Sequence, residues 1–218
     1  MFYYLYVFTD LYDRSSVGSG VFAEESAEHA ALLIRSICLE QGRRSTQPLI
    51  LHSDSGAVMK SVQMLATLAQ LGITASFSGP RVSNDHPYSE SLFRTLRTRF
   101  ACPAEGFASL ERARACIRGF VEWYNREPHH RSLSHVTPLQ RRRGEDQAIL
   151  QRRTQLHRET REAHPERWHG RRPRDWSLPE RVRLGYGEEP ELLMLPTPLD
   201  QGINTDLLSS KPCDTAHI

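Results

Sequence analysis

Short apolar runs alternate with longer amphipathic stretches along the first third of the chain. FYYLYVFTD and VGSGVF are rich in aromatic and β-branched residues, and the polar turn between them is typical of a β-hairpin. In the longer stretches, apolar residues recur at the spacing of an amphipathic helix. The pattern predicts a hairpin (2–10 and 17–22), a helix (24–40), the strand LILHS (49–53), a helix (57–71) and the strand ITASF (73–77). Strands that alternate with helices in this way indicate an α/β domain.

The middle of the chain is predicted to be helical and its end irregular. Pro87 suits the first position of a helix that runs to about Arg99. Another helix is predicted over residues 109–124, which place apolar side chains on one face. Beyond Thr137 the apolar periodicity is mostly lost. We therefore predict a core domain (1–144), a basic helical or irregular extension (145–190) and a disordered acidic tail (191–218).

The net charge of +2 hides a separation of charge along the chain. Residues 94–183 hold 21 arginines against 11 acidic residues, a net charge of +10, whereas the segments before and after them are net acidic. An arginine-rich block attracts a polyanion such as DNA, because it releases counterions and makes bidentate phosphate contacts. A solvated, arginine-rich helical surface accounts for the same composition, and charge alone does not decide between the two.

The sequence shows no sign of a membrane protein or of a secreted one. No apolar run approaches the roughly 18 residues that a membrane span needs, and the apolar start MFYYLYVFTD lacks the basic region and cleavage site of a signal peptide. The four cysteines have no CxxC spacing, which favours reduced thiols over a disulfide framework or a zinc site. We expect a cytoplasmic protein.

Two acidic residues stand at positions typical of a catalytic site. Asp54 follows the predicted strand LILHS, and the ends of strands are where open α/β sheets place their sites. Glu90 lies in the first turn of a predicted helix, and Arg94 and Arg97 follow it near the same helix face. A carboxylate flanked by guanidinium groups can hold a metal ion and contact a phosphate. The spacing alone, however, favours a surface helix with ion pairs.

Several motifs resemble those of insertion-sequence transposases whose catalytic domain is like that of retroviral integrases. LHSDSG is similar to the second-acid motif of that family, and RVSNDHPYSESLFRTLR to its third-acid motif, with Glu90 in the place of the glutamate and Arg97 at a basic position. FVEWYNREPHHRSLSHVTPLQRRRG resembles the closing helix and its basic tail, and PERWHGRRPRDW resembles the C-terminal extension of one branch. The resemblance covers about residues 3–185.

The resemblance implies an RNase H-like fold, a mixed sheet flanked by helices, in which three carboxylates hold two Mg²⁺ or Mn²⁺ ions. Such ions stabilise the attacking and leaving oxygens of phosphoryl transfer on DNA. Asp54 and Glu90 would then be both catalytic and metal-binding. The residues expected to bind DNA are Arg94, Arg97, Arg141, Arg142 and Arg143. The implied partners are the ends of a mobile element, its target DNA and a transposase oligomer, with nucleoid association when DNA is bound.

The chain offers only two of the three carboxylates that the resemblance requires. In that family the first aspartate sits on a strand before the hairpin that YLYVFTDLYDR resembles, and this chain starts at that hairpin. Asp10 and Asp13 match other positions of the family, so neither inherits the catalytic role. We therefore expect a sheet that lacks its first central strand, and a protein that is inactive alone.

Two further hypotheses stay open at this point. In one, the true start of the protein lies upstream of Met1, and the first strand and its aspartate are encoded there. In the other, the chain is a non-catalytic DNA-binding or transposase-binding fragment that uses its basic block. That hypothesis predicts salt-sensitive DNA affinity that survives loss of Asp54 and Glu90 and falls when residues 141–143 are neutralised.

Overall fold

A computed structural model describes residues 3–42, 48–78, 87–100, 103, 105–172, 174–180, 182 and 207–209. Its strands and main helices are, in chain order, β1 (Tyr4–Asp10), β2 (Ser16–Phe22), α1 (Ala27–Glu40), β3 (Leu49–Ser53), α2 (Val62–Gln70), β4 (Ile73–Phe77), α3 (Pro87–Arg99), α4 (Leu110–Arg126), α5 (Pro138–Arg142), α6 (Glu145–Ala163) and β5 (Leu207–Ser209). Short 3-10 helices cover Arg131–Leu133 and Pro165–Trp168. The predicted alternation of strands and helices is confirmed over residues 4–77.

Capping side chains decide where the first two helices begin. The Ser26 hydroxyl accepts a hydrogen bond from the backbone N–H of Glu28, and α1 starts later than apolar spacing predicts. The Ser61 hydroxyl accepts one from the backbone N–H of Met64, and α2 starts later for the same reason. A capping oxygen satisfies a backbone donor that has no partner inside the helix. Serine therefore marks these helix starts better than hydrophobic periodicity does.

The strands form one mixed five-stranded sheet in the order β2-β1-β5-β3-β4. Strand β1 is antiparallel to β2 and to β5, while β3 is parallel to β4 and to β5. The predicted mixed sheet flanked by helices is thus confirmed. The place between β1 and β3, where the first central strand was expected to be missing, holds β5 from the C-terminal segment of the chain.

Two hydrophobic cores lie on opposite faces of this sheet because the side chains of β1 alternate between them. Leu5 and Val7 belong to one core, together with side chains of β2, α3 and α4. Tyr6 and Phe8 belong to the other, together with side chains of α1, α2, β3 and β4. All four are almost fully buried. Strand β1 is therefore an interior strand, covered on both faces.

Polar side chains fasten α4 along strand β2. The Asn125 side-chain amide accepts a hydrogen bond from the backbone N–H of Ser16 and donates one to its carbonyl, both at 2.9 Å. Farther along the strand, Nε of Arg114 donates to the carbonyl of Val21 at 3.0 Å. Since β2 is at the edge of the described sheet, these side chains satisfy backbone groups that no neighbouring strand reaches.

A packed corner joins the core domain to the basic extension. Thr137 starts α5 with a capping box, and Arg141 at the end of α5 pairs with Asp146 at the start of α6, at 2.5 Å. Leu150 of α6 packs against Leu133, and most of α6 beyond this point is exposed. The extension predicted over residues 145–190 thus contains a regular helix that is anchored through Asp146, Leu150 and Arg153.

The predicted tail over residues 191–218 lies outside the described residues except for β5. Its disorder therefore stays a prediction. Within the described part of the chain, none of the helices is both long and apolar enough to cross a membrane.

Replacing Phe120 by alanine should destabilise the fold by about 3–5 kcal/mol, the usual cost of removing a large buried aromatic side chain. Phe120 is 0% exposed and contacts the rings of Phe100, Trp123 and Tyr124. Chemical denaturation followed by circular dichroism measures the change. The control is Leu39→Ala, whose side chain is 80% exposed and which should change stability by less than about 0.5 kcal/mol. Equal effects of the two variants would contradict this description of the core.

Candidate functional site

Asp54 occupies a tight turn directly after β3. Its Oδ1 accepts a hydrogen bond from the backbone N–H of Gly56 at 3.2 Å. A Cβ atom at position 56 would lie only 3.0 Å from that oxygen, so glycine leaves room for the carboxylate. The Ser55 hydroxyl donates to the carbonyl of Ser78 at 3.1 Å, which ties the turn to the end of β4. The Asp54 side chain is thereby held at the carboxyl end of two parallel strands and remains partly exposed.

His52 supports this turn from within the sheet. Its ring nitrogens lie 3.0 Å from the Ser76 hydroxyl and 3.4 Å from the Ser78 hydroxyl. The backbone N–H of Ser78 donates to the carbonyl of Ser53 at 3.0 Å. These contacts connect the residues before the Asp54 turn to β4 and the residue after it, and they give His52 a positioning role between β3 and β4.

Glu90 lies in the first turn of α3, and its side chain is exposed. Arg94 and Arg97 follow on the same helix and are also exposed. Tyr88, two residues before Glu90, carries the Arg14 guanidinium over its ring at 3.5 Å from the ring centre. The start of α3 is therefore held against the turn that connects β1 to β2.

The strand pairing shows where that turn lies relative to Asp54. Asp10, the last residue of β1, and Leu51 in the middle of β3 both pair with Leu207 of β5. Because β1 runs antiparallel to β3, the β1–β2 turn lies beyond the amino-terminal end of β3, whereas Asp54 follows its carboxyl end. Within the described part of the chain, no three His, Cys, Asp or Glu side chains cluster as a metal site. The joint role of Asp54 and Glu90 as metal ligands stays a prediction.

A buried cluster of two carboxylates and one guanidinium lies at the β1–β2 turn. Oδ1 of Asp10 accepts hydrogen bonds from the backbone N–H groups of Tyr12 at 2.7 Å and Asp13 at 3.3 Å. NH1 of Arg142 lies 3.1 Å from Oδ2 of Asp13 and 3.7 Å from Oδ2 of Asp10. NH2 of the same guanidinium donates to Oε1 of Gln41. The cluster thus joins the hairpin, the end of α1 and α5.

Burial raises the pKa of Asp10 well above its ordinary value, and the neighbouring Asp13 carboxylate raises it further. Burial also raises the pKa of Asp13. The Arg142 guanidinium opposes both shifts because it favours the ionised carboxylates. The sequence signal for this cluster was a pair of acids three residues apart in a turn, which spacing alone did not connect to Arg142.

Arg141 and Arg142, two of the arginines expected to bind DNA, form ion pairs inside the protein. Arg141 is only 8% exposed, its guanidinium pairs with Asp146, and it also stacks on the ring of Tyr12 at 4.1 Å. Arg142 neutralises the buried acids of the hairpin. Both guanidinium groups therefore neutralise acids inside the protein, and their DNA-binding role stays a prediction. Arg143, by contrast, has 54% of its side chain exposed.

Two family models, both described as "Integrase core domain", match adjoining parts of this chain. One matches residues 1–83 and the other residues 71–138, so that together they span residues 1–138. Among curated proteins, none matches the chain.

Solved structures of viral integrases are also similar to the chain. The catalytic core domain of BIV integrase is 21% identical, with a TM-score of 0.49 over 62% of this chain and 82% of that one. A chain of the simian T-cell lymphotropic virus intasome in complex with the PP2A regulatory subunit B56 gamma is 14% identical, with a TM-score of 0.46. That match covers 63% of this chain and 47% of the other, so this chain spans about half of its length.

Replacing Arg142 by glutamine should cost about 3 kcal/mol of folding stability at neutral pH, because it leaves two buried carboxylates without their cation. The folded-state pKa values of Asp10 and Asp13, already raised, would rise further. Groups with raised folded-state pKa values favour folding at low pH and oppose it as the pH rises through those values. The deficit of Arg142→Gln should therefore shrink as the pH falls towards about 4, the ordinary range of an aspartate in an unfolded chain.

Urea denaturation of both proteins at a series of pH values measures this change. The matched control is Arg143→Gln, because this substitution removes the same charge from the next position. The Arg143 side chain is 54% exposed. The control should stay within about 0.5 kcal/mol of the wild type at every pH. A deficit of Arg142→Gln that does not depend on pH would show that the buried acids do not carry the effect.

Proposed function

Residues 1–138 belong to the integrase core domain family, and on that premise we propose that the chain is the catalytic-domain part of a mobile-element transposase, related to enzymes that join DNA ends to a target. The predicted family and the predicted RNase H-like fold class are confirmed. The observation that carries the proposal is the pair of adjoining matches to integrase core domain models, of which one includes the Asp54 turn and the other the Glu90 helix.

Integrase core domains use divalent metal ions, so the donor set of this chain decides what it can do alone. Carboxylate oxygens suit Mg²⁺ and Mn²⁺, and Asp54 and Glu90 offer one carboxylate each. Among the described residues, no three His, Cys, Asp or Glu side chains cluster as a metal site, so they do not fit a complete two-ion site. We therefore derive no catalytic step through metal ions, and we propose that the chain does not cut or join DNA unaided.

The residues of this chain retain a role in holding DNA. Exposed Arg94 and Arg97 lie on the same helix as Glu90, one and two turns after it. Guanidinium groups at this spacing can contact successive phosphates of a strand that runs along α3. In this proposal the chain associates with the nucleoid in the cytoplasm, and a complete transposase oligomer with bound metal ions supplies the chemistry.

Purified chain should show no DNA nicking or strand transfer above background with either Mg²⁺ or Mn²⁺. The substrate is a labelled duplex that carries candidate element ends, and a complete integrase on its own substrate serves as the positive control. Asp54→Ala and Glu90→Ala provide the background level. Metal-dependent activity of the wild type that both variants abolish would overturn the proposed inactivity and would establish Asp54 and Glu90 as one catalytic centre.

A second candidate function is a non-catalytic DNA-binding fragment. It is favoured by two observations together: Arg94 and Arg97 are exposed, and the described acids do not gather into a metal-binding group. This function needs neither Asp54 nor Glu90. DNA affinity that remains in both alanine variants agrees with either candidate function, whereas metal-dependent turnover agrees only with the catalytic one.

The double variant Arg94→Gln/Arg97→Gln should weaken binding to duplex DNA and reduce the salt slope of the association constant by about 2, since each lost phosphate contact contributes about 1. Fluorescence anisotropy at several salt concentrations measures both quantities. The matched control is Arg158→Gln/Arg161→Gln, which removes the same charge from exposed positions on α6. Equal losses in the two double variants would show diffuse attraction to the whole basic block and would contradict a DNA surface on α3.

A further inference from the structure

Strand β5 joins the two halves of the sheet. Its residues Leu207, Leu208 and Ser209 pair with Asp10, Thr9 and Phe8 of β1, in antiparallel orientation. On the other side, Leu207 and Leu208 pair with Leu51 and His52 of β3, in parallel orientation. In the strand order, β1 and β3 are neighbours of β5 and not of each other. Residues 207–209, in the C-terminal segment, therefore connect the β1–β2 hairpin to the β3–β4 pair.

The position that β5 fills is one that the rest of the sheet leaves open. Without β5, the described strands would form two separate two-stranded ribbons, β2-β1 and β3-β4. Strand β1 is covered on both faces by hydrophobic cores, so water does not readily satisfy the backbone groups along its open edge. Two-stranded ribbons are also only marginally stable alone. The gap between β1 and β3 is therefore a site at which an added strand gains backbone hydrogen bonds on both sides.

We propose that the gap between β1 and β3 is a strand-docking site and that the C-terminal segment of the same chain, residues 207–209, occupies it. The 24 residues between Val182 and Leu207 can span up to about 80 Å when extended, which exceeds the dimensions of a small domain. Tethering within one chain also favours this occupant over the same segment of a second molecule. The docked strand consists of two leucines and a serine and contains no acidic residue.

The gap is longer than its occupant. Strand β1 has seven residues, and β5 pairs with the last three of them. The register with β5 does not include the first four residues of β1. A short strand that is held by few hydrogen bonds opens more readily than a long one, so its amide hydrogens exchange faster. The proposal concerns the sheet and is independent of the proposed function at Asp54 and Glu90.

Proline at position 208 tests the docking in the full-length chain. A strand that is paired on both sides directs each backbone N–H to one neighbour or the other, so Leu208→Pro removes a ladder hydrogen bond. Hydrogen exchange in peptides that cover residues 8–10 and 51–52 should be faster by on the order of tenfold in this variant. Gln201→Pro, which is outside the strand, should leave exchange unchanged. Wild-type exchange in Leu208→Pro would overturn the proposal, whereas unfolding of this variant alone would support it.

A disulfide cross-link identifies the occupant even if the proline variant does not fold. Thr9 and Leu208 are paired across antiparallel strands, where Cα atoms are close enough for a disulfide. Thr9→Cys and Leu208→Cys are introduced together in a chain whose four native cysteines are replaced by alanine. An intramolecular disulfide in the monomer is the expected result, with Thr9→Cys/Gln201→Cys as the unlinked control. Cross-linked dimers alone would assign the site to a second copy of the chain, and absence of a specific cross-link would overturn the proposal.

Discussion

The pairing of β1 along both of its edges is the constraint on which the rest of the structure depends. Its side chains enter a hydrophobic core on either face, so the strand cannot lie at the edge of the sheet without exposing one core or burying unpaired backbone groups. Strand β2 pairs with one edge, and β5 pairs with part of the other. The helices α1 and α4 pack against opposite faces of the sheet that these pairings form.

The arginines of α5 show how one sequence motif can serve the interior and the surface at once. RRRG looks like a basic surface tail, yet Arg141 and Arg142 neutralise buried acids that come from α6 and from the β1–β2 turn. A buried carboxylate without a cation is costly, so these pairs couple the closing helices to the hairpin. Only Arg143 extends mainly into solvent. Among the longer helices, α3 and α4 carry a net positive charge, whereas the charges of α6 balance.

The Asp54 turn and the Glu90 helix have different structural supports. The Asp54 turn is held by its own hydrogen bond to Gly56 and by the hydrogen bond from Ser55 to Ser78, which keep Asp54 at the carboxyl ends of the parallel strands β3 and β4. The helix start is held by the stacking of Arg14 on Tyr88 near the β1–β2 turn. Among the described residues, no three His, Cys, Asp or Glu side chains cluster as a metal site. The two acids therefore belong to separately supported parts of the fold, and their shared role stays a prediction.

Sequence alone determined the parts of this protein that depend on local pattern. Hydrophobic periodicity identified β1 to β4 and the helices α1 to α4, because burial of one face imposes a period of two or 3.6 residues. The motifs around Asp54 and Glu90 identified the family, since their residue types follow from its chemistry. Only the tertiary structure decided that Arg141 and Arg142 point inward and that residues 207–209 enter the sheet. Those contacts join residues that are far apart in the chain. Local hydrophobic periodicity reports which face of an element is buried, but not which distant residue contacts it.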